Sequence, residues 1–511
     1  MTNEGLWSGG AAVTVAELMA RSGVPFGTSG VRGLADAMSD DLCHAYACAF
    51  LDYLRQIGEF ADGGRVALAG DLRESTPRIL AACAQAVRTC GGEVVFCGHV
   101  PTPALAFHAM NAAGDARGAM PSIMVTGSHI PADRNGIKFY RPHGEVLKTD
   151  EPGILAQAVR PAPAAYPAAL GAPVDVETGY VARYVRHFGA DALSGLKVGV
   201  YQHSAVGRDL MVRVVEAMGG RALPFGRSEQ FLPVDTEAIR AEDVALAAEW
   251  ARANAVDAII STDGDSDRPL VADAQGAWLR GDVLGLICAQ AVGADVVVTP
   301  VSSNSVLELS GAVRKVVRTR IGSPYVIAAM IEAAAAEPGL RICGYEANGG
   351  FLLGSRAGNL DPLPTRDAVL PILAALIAAR DRPLADVVAA LPPRFTFSDR
   401  LPDFAPPHSA ALMNLLGRGT EAEQFARLAR LFGGVAGLPV AIDRTDGYRI
   451  GFASGAVIHL RASGNAPELR CYTEAASAAA AQDLNARALA EVTAKILPEA
   501  LAVEAGTVST G

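Results

Sequence analysis

Residues 66–97 read VALAGDLRESTPRILAACAQAVRTCGGEVVFC, and this stretch contains two alternating patterns. It opens with a short apolar run that is typical of a buried strand. Residues 75–90 then have helical composition, and residues 93–97 form a second apolar run. The order continues with a predicted helix over 103–109 and a strand over 123–125. Strands that alternate with helices predict a parallel or mixed sheet covered by helices.

The same alternation restarts twice further along the chain. One set runs from a strand over residues 197–201 to a strand over 257–260, and another runs from 296–298 to 341–343. Three successive sets predict three α/β domains with mixed sheets. After the Leu-Pro-Pro sequence at 391–393 the pattern changes to short strands joined by Gly-containing turns. This change predicts a last α+β domain with an antiparallel sheet.

Four domains are therefore expected. The chain has 511 residues, a length that by itself suggests about three or four domains. An Ala- and Pro-rich stretch over 161–173 is predicted to be a linker. The predicted domains are α/β domain I over residues 1–165, α/β domain II over 174–276, α/β domain III over 277–392 and α+β domain IV over 393–511.

Composition narrows the class of protein. Half of the residues are hydrophobic and 19% are charged, which is enough apolar material for several cores. The net charge of -10 argues against nucleic acid as the main partner, because an acidic chain does not attract a polyanion. A small anionic substrate would need local basic pockets.

The sequence also indicates the cellular compartment in which the protein is expected. The eight cysteines are scattered without a C-x-x-C pair, which favours small core residues in a reducing compartment. No run of about 18 apolar residues occurs, so no membrane span is expected. The N-terminus lacks a basic flank and an apolar signal core. We therefore expect a cytoplasmic protein, without membrane association.

The first loop with candidate chemistry is TGSHIPADRNGIK, residues 126–138, directly after the strand over 123–125. Ligands of α/β sheets bind outside the carboxyl ends of strands, so a reactive group is well placed there. Ser128 is a candidate nucleophile, and His129 and Lys138 are candidate proton-transfer groups or cations. The same residue types also suit an ordinary turn.

The second loop is TDGDSDR, residues 262–268. Three carboxylates at alternate positions repel one another, and a hard divalent cation bound by Asp263, Asp265 and Asp267 would relieve that repulsion. An EF-hand is disfavoured, because its sixth and twelfth positions would be Arg268 and Ala274 instead of Gly and Glu. A solvated acidic loop is the other interpretation.

The third loop is RASGNAPELR, residues 461–470, between two predicted strands of the last domain. Its small residues let backbone N–H groups approach an anion, and Arg461 and Arg470 can make bidentate contacts to a phosphate. A polar hairpin with exposed arginines is the alternative.

Two weaker segments support these three. GYEANGG at 344–350 offers one carboxylate and one amide, suitable for sugar hydroxyls, although it also suits a Gly-rich turn. FGTSGVRG at 26–33 places Arg32 on a flexible loop, or is an N-terminal connector. The serine, aspartate, 344–350 and 461–470 segments each lie on a different predicted domain, so a cleft between domains would be their natural meeting point.

Taken in order, these segments resemble the α-D-phosphohexomutase superfamily over nearly the whole chain. GDLRES at 70–75 and PTP at 101–103 are similar to its first-domain signatures, and residues 126–138 resemble its phosphoserine loop, usually T-A-S-H-N-P. Residues 263–268 match its D-G-D-x-D-R magnesium loop. Residues 461–470 resemble its phosphate loop, R-x-S-G-T-E-P-x-x-R.

The resemblance implies a four-domain fold around a central cleft and a set of residue roles. Ser128 would carry the phosphoryl group, and Mg²⁺ would be held by the three aspartates and a phosphoserine oxygen. Other side chains of the serine, metal and N-terminal loops would support proton transfer and stabilise the charge of the transition state. These are His129, Lys138, Arg268 and Arg32. The substrate would be bound by Gly344, Glu346, Asn348, Arg461, Ser463, Gly464, Asn465 and Arg470.

The sequence departs from the family pattern at a few positions. Gly127 replaces Ala and Ile130 replaces Asn beside the nucleophile, and neither change removes a catalytic group. Asn348 stands where relatives commonly have Ser. Asn465-Ala466 replaces Thr-Glu in the phosphate loop, which leaves the local details of phosphate binding open.

The activity implied is interconversion of a hexose 1-phosphate and a hexose 6-phosphate through a bisphosphorylated sugar, with mannose first and glucose also accepted. The enzyme would be a monomer or a homodimer. Related alternatives are a phosphoglucomutase or a phosphoglucosamine mutase. A metal-dependent sugar phosphatase and a non-catalytic sugar-phosphate binder are alternatives from other classes.

Overall fold

The computed structural model of the chain describes Trp7 and residues 12–27, 30–111, 118–161, 170–463 and 467–505. The chain forms two compact units. The first takes the chain as far as residue 298, together with residues 313–315 and 322–388. The second takes residues 299–312 and 316–321 and the chain from residue 389 onward.

The N-terminal part of the first unit is a mixed sheet flanked by helices. Its first helix begins at a capping box in which Thr14 and Glu17 each bond the other's backbone N–H. Its elements are β1 (Val13–Thr14), α1 (Val15–Ser22), β2 (Gly30–Leu34), α2 (Asp40–Gln56), β3 (Arg65–Gly70), α3 (Thr76–Thr89), β4 (Glu93–Phe96), α4 (Thr102–Met110), β5 (Ser122–Val125), β6 (Arg134–Arg141), β7 (Gly144–Glu145), α5 (Glu151–Leu155) and β8 (Ala158–Val159).

Strand order explains where this sheet presents its loops. The order is β2-β6-β5-β3-β4, with β7 on β6, and β1 pairs with β8 separately. β3 is parallel to β4 and to β5, whereas β6 is antiparallel to β5. Apolar residues of α2, α3 and the central strands form one buried cluster. The carboxyl end of β5 therefore leads directly into the loop that carries Ser128.

A second mixed sheet follows in the same unit. Its elements are α6 (Glu177–Phe188), β9 (Lys197–Tyr201), α7 (Arg208–Ala217), β10 (Arg221–Phe225), α8 (Ala241–Asn254), β11 (Ala258–Thr262) and β12 (Pro269–Ala272). The strand order is β10-β9-β11-β12, with β12 antiparallel to β11 and the other pairs parallel. The three aspartates lie between β11 and β12.

The third sheet has the order β14-β13-β15-β16-β17. β13 and β15 are parallel, and β16 is antiparallel to both β15 and β17. The elements in this part of the chain are α9 (Gly281–Ala291), β13 (Val296–Pro300), α10 (Val306–Ser310), β14 (Lys315–Thr319), α11 (Ser323–Ala336), β15 (Ile342–Tyr345), β16 (Phe351–Leu353), β17 (Leu363–Asp367), α12 (Val369–Ala378) and α13 (Leu384–Ala389).

The fourth sheet lies in the second unit, and each of its strand pairs is antiparallel, in the order β18-β22-β21-β20-β19. Its helices and strands enclose a separate apolar core. The elements are β18 (Phe395–Leu401), α14 (Pro406–Gly417), α15 (Glu421–Ala436), β19 (Pro439–Asp443), β20 (Tyr448–Phe452), β21 (Val457–Ala462), β22 (Leu469–Ala475), α16 (Ala478–Glu491), a π-helical segment (Val492–Ile496) and α17 (Leu497–Glu504).

The predicted fold class is confirmed: three mixed sheets with helices precede an antiparallel C-terminal sheet. Several local predictions differ from the structure. Arg32 lies on β2, opposite Gly136 of β6, and not on a flexible loop. β6 begins at Arg134, so Lys138 lies on a strand and not on a loop. The Ala-rich stretch over about 476–496, for which the sequence predicts one long helix, is α-helical over Ala478–Glu491 and π-helical over Val492–Ile496. Most of the predicted linker, residues 162–169, lies outside the described residues. Among the helices described, none combines the length and apolar character that a membrane crossing requires.

Candidate active site

Ser128 lies three residues beyond β5 and is fully buried. Its backbone has a φ of 55°, a left-handed conformation that is uncommon for a residue with a side chain. The Ser128 N–H donates to the hydroxyl of Thr126 at 2.8 Å, and the Ser128 hydroxyl donates to the Asp263 carboxylate at 2.5 Å. The hydroxyl of Ser128 is therefore directed at the acidic loop of the second sheet.

The three aspartates form one buried cluster. A carboxylate oxygen from each of Asp263, Asp265 and Asp267 lies within 4.8 Å of the others. Burial, followed by the charges of Asp265 and Asp267, raises the pKa of Asp263 well above its ordinary value. Within the described part of the chain, one oxygen of Asp265 and one of Asp267 are buried and accept no hydrogen bond. Buried carboxylate oxygens left without donors fit a hard divalent cation.

Lys138 of β6 and Thr102 of α4 bind this cluster from the N-terminal part of the first unit. The Lys138 ammonium donates to Asp265 at 2.5 Å and to Asp267 at 2.6 Å. The Thr102 hydroxyl, at the start of α4, donates to Asp265 at 2.5 Å. The serine loop and the aspartate loop are thus tied together by charge as well as by hydrogen bonds.

His129 is held in a neutral state beside Ser128. Its Nδ1 lies 3.3 Å from the Ser128 hydroxyl and accepts a hydrogen bond from Arg268 at 2.8 Å. Burial, then the charges of Arg268 and Arg32, lowers the pKa of the imidazole far below its ordinary value. Because Nδ1 accepts from a guanidinium, the ring proton is placed on Nε2.

Arginines surround the aspartates. Burial opposes the charge of Arg268, but Asp263 and Asp267 outweigh burial and raise the pKa of Arg268. Burial and the charge of Arg268 lower the pKa of Arg32 to about 10, which leaves Arg32 protonated at neutral pH. With Lys138 these side chains concentrate positive charge where a phosphoryl group would lie.

Arg366 is a site residue that the sequence did not reveal. It lies on β17 and donates from Nε to Asp267 at 3.0 Å and from Nη1 to Ser323 at 2.7 Å. Its Nη1 also lies 3.4 Å from Glu346. Arg366 therefore connects the aspartate cluster to the 344–350 segment. A charged Arg-Asp pair that ends a buried strand was the only signal for it.

The 344–350 segment begins on β15 and continues as a tight turn over residues 346–350, where the Glu346 carboxylate is buried. Gly344 lies within β15, where a Cβ would stand 2.5 Å from Val326, so its lack of a side chain serves packing. Glu346 begins the turn beside Arg366. The side-chain oxygen of Asn348 accepts from the Gly350 N–H at 3.0 Å, so Asn348 fixes the shape of the turn.

The predicted phosphate loop belongs to the second unit. Arg461 on β21 lies directly opposite Arg470 on β22. Like charges opposite each other are destabilising, and each arginine has a carboxylate partner: Asp446 lies 2.8 Å from Arg461, and Glu468 lies 2.8 Å from Arg470. Ser463 donates its N–H to Glu468 O at 3.0 Å. Gly464 and Asn465 lie outside the described residues.

The structure thus brings together most of the site residues that were predicted in the first unit. The first unit contains Ser128, His129, Lys138, the three aspartates, Arg268, Arg32 and Glu346 in one region, to which Arg366 and Thr102 are added. The residues of the phosphate loop that are described lie in the second unit.

Comparison with protein families gives consistent matches along the chain. Models of the phosphoglucomutase/phosphomannomutase domains match four successive segments: alpha/beta/alpha domain I at residues 23–162, domain II at 179–276, domain III at 280–395 and the C-terminal domain at 418–491.

Individual proteins are similar over almost their full length. A phosphomannomutase of Sinorhizobium fredii is 44% identical over 491 residues, which cover 92% of this chain and 98% of that protein. A phosphomannomutase of Salmonella muenchen is 41% identical over 487 residues, 94% and 98% of the two chains. The solved structure of a phosphoglucomutase/phosphomannomutase family protein from Burkholderia thailandensis shares the fold, with a TM-score of 0.72 at 21% identity over 94% of this chain and 98% of that one.

Proposed function

Because the chain belongs to the phosphoglucomutase/phosphomannomutase family and is a phosphohexomutase, we propose that it interconverts the 1- and 6-phosphates of mannose, and also of glucose, through a phosphoserine at Ser128. The observation that carries the proposal is the buried Ser128 hydroxyl, 2.5 Å from Asp263 at the edge of a buried aspartate cluster. A serine placed there is next to the cations that a phosphoryl group requires.

The proposed reaction is a double transfer. The bond between phosphorus and the Ser128 oxygen breaks as a bond forms to the free hydroxyl of the hexose phosphate, and the proton that this hydroxyl loses is balanced by the one that the released Ser128 oxygen takes up. The resulting sugar bisphosphate reorients so that its other phosphoryl group faces Ser128, and it returns that group to the Ser128 oxygen. The neutral His129 would lie beside the transferring group, and Lys138, Arg268 and Arg32 would offset the charge of that group.

Asp263, Asp265 and Asp267 would hold Mg²⁺ together with an oxygen of the phosphorylated Ser128. The donor set fits, since carboxylate oxygens are the ligands that this ion prefers, and two of them accept no hydrogen bond in the described structure. When bound, the ion would neutralise charge on the phosphoryl group.

Substrate would be bound at both of its ends. Glu346, in its turn with Gly344 and Asn348, would bind sugar hydroxyls. The phosphate loop, consisting of Arg461, Ser463, Gly464, Asn465 and Arg470, would bind the phosphate that does not react. A sugar bisphosphate would serve as activator and intermediate.

Replacing the arginines of the phosphate loop should weaken substrate binding. Arg461→Ala and Arg470→Ala each remove a charge-assisted contact of about 1.5–3 kcal/mol, so we expect KM to rise roughly tenfold to a hundredfold. Phosphorylation of Ser128 should change less. Arg430→Ala is the control, since Arg430 forms an exposed ion pair with Glu499 in the same unit. Normal affinity in both loop variants would place phosphate binding elsewhere.

Both sugars should be turned over. Mannose and glucose phosphates differ only in the 2-hydroxyl, and Glu346 is expected to contact hydroxyls that they share. A site rejects an analogue by about 10⁴ or more when a buried polar group is left without its partner. We therefore expect kcat/KM values within roughly a hundredfold, with mannose preferred. Parallel assays of the two 1-phosphates measure this, and an exclusive preference above about 10⁴ would contradict it.

The activity itself is tested by following isomerisation of the two 1-phosphates and the release of inorganic phosphate in one reaction. Isomerisation that depends on trace bisphosphate supports the proposal. Stoichiometric release of phosphate would indicate a sugar phosphatase, and neither reaction would indicate a binder. Glucosamine phosphate belongs in the same assay, because a phosphoglucosamine mutase is the remaining alternative within the superfamily.

We place the enzyme in the cytoplasm, as a monomer or a homodimer without nucleic acid or membrane partners. All eight cysteines are free thiols, which supports a reducing compartment.

A further inference from the structure

Arg73, a residue with no assigned role so far, lies under the loop that carries Ser128. Its side chain is completely buried and pairs with Asp71 at 3.1 Å. A guanidinium has five N–H groups, and the structure gives Arg73 five acceptors. Besides Asp71 these are four backbone carbonyls between β5 and the first residue of β6: Ser128 at 2.9 Å, Ile130 at 2.7 Å, Pro131 at 2.7 Å and Arg134 at 2.9 Å.

The Asp71–Arg73 pair holds both sides of the Ser128 peptide. Arg73 binds the carbonyl of Ser128, and Asp71 accepts from the Thr126 hydroxyl at 2.8 Å and from the Gly127 N–H at 3.3 Å. Ser128 has a left-handed backbone, a strained conformation that persists only where neighbouring contacts impose it. The ion pair supplies those contacts.

Phe231 lies in the segment between β10 and α8, and its ring packs against the Arg73 guanidinium. Its ring centroid lies 3.9 Å from the Arg73 Cζ, within the range of a cation–π contact. The same ring lies against Gly264 of the aspartate loop, where a Cβ would stand 2.9 Å from Phe231 and 2.7 Å from the Ser128 carbonyl oxygen. Phe231 therefore contacts the support of the serine loop and the backbone of the aspartate loop together.

Gly127 leaves space for this arrangement. A Cβ at residue 127 would lie 2.6 Å from the Arg73 Cζ. The end of an arginine can usually move aside, but all five donors of Arg73 are engaged. The structure thus gives a reason for Gly at a position where the family pattern usually has Ala.

We infer that Arg73 and Phe231 are positioning residues that set the Ser128 hydroxyl against Asp263. The inference rests on the proposed phosphoserine role of Ser128. Neither side chain needs to touch substrate: Arg73 fixes the loop, and Phe231 fixes Arg73 relative to the aspartate loop. A displacement of about 1 Å at a reacting group can lower the rate about a hundredfold, so the pair should control kcat more than KM.

The test compares Phe231→Leu with Phe231→Tyr, which keeps the ring. We expect kcat to fall about thirtyfold to a hundredfold in the Leu variant while KM changes less than about threefold, and the Tyr variant to stay near the wild type. Phe225→Leu is the matched control, because Phe225 is a partly buried ring at the end of β10 that stacks on Trp250. Gly127→Ala should lower kcat like Phe231→Leu.

Amide hydrogen exchange separates this inference from the proposed function. Peptides covering residues 126–138 should exchange faster in Phe231→Leu than in the wild type or Phe225→Leu, whether or not the protein isomerises sugars. A wild type that does not isomerise would refute the proposed function alone. Equal kcat losses in the two Leu variants, or unchanged exchange over 126–138 in Phe231→Leu, would overturn the inference.

Discussion

Ser128→Ala should lower kcat for isomerisation by about 10⁴-fold or more, because removing a nucleophile removes the covalent route and leaves only binding and electrostatics. The fold should be retained, since the hydroxyl makes one donor contact, to Asp263. Steady-state rates and thermal unfolding of the purified variant measure both effects. Thr126→Ser is the control within the same loop, because it keeps the hydroxyl that the Ser128 N–H requires.

Two results would contradict the role of Ser128. The first is a Ser128→Ala variant with substantial activity. The second is phosphate found on the purified wild-type enzyme only at residues other than Ser128; the melting temperature shows whether a loss of activity merely reflects unfolding.

Asp265→Asn should lower kcat by about 10²–10⁴-fold, because a lost ligand charge removes several kcal/mol of transition-state stabilisation by the cation. The same change weakens the ion pair with Lys138, so a modest fall in melting temperature is expected as well. Titration with magnesium should show a higher concentration for half-maximal rate.

Asp273→Asn is the matched control for this change. Asp273 is a nearly buried carboxylate a few residues further on, and it accepts the N–H groups of Gln275 and Ala277 within a turn. It should affect stability and leave the magnesium dependence as it was. An Asp265→Asn enzyme with normal turnover and normal magnesium dependence would refute the metal role of the cluster.

Local signals made the main loops predictable from the sequence. The sequence of β5 contains a short apolar run, and the Thr-Gly-Ser that follows β5 combines turn residues with a candidate nucleophile. The alternating aspartates after β11 carry their own electrostatic reason for a cation. Each of these arguments needs only residues that are close together in the chain.

Contacts between residues far apart in sequence could not be predicted in this way. Arg366 donates to Asp267 across 99 residues, and Thr102 donates to Asp265 across 163 residues. Arg73 was visible only as part of the 70–75 signature, and nothing in that signature indicated four carbonyl partners. Such contacts follow from the way in which the sheets pack, which local periodicity does not specify.

The protonation of His129 and the ion pairing of Arg470 could also not be predicted from the sequence. The sequence offered His129 as a proton-transfer group or a cation, and in the structure its Nδ1 accepts a hydrogen bond from Arg268, a contact that only the neutral ring can make. The loss of Glu at position 466 left phosphate binding open, and Glu468 is now seen to pair with Arg470.

A single-turnover transfer experiment tests the phosphoserine mechanism most directly. Enzyme carrying radiolabelled phosphate, with the label located at Ser128 by peptide mass spectrometry, is mixed with unlabelled mannose 1-phosphate and quenched over time. We expect label to leave Ser128 and enter first the sugar bisphosphate and then mannose 6-phosphate. Label that stays on the protein during turnover, or leaves only as inorganic phosphate, would contradict transfer through Ser128.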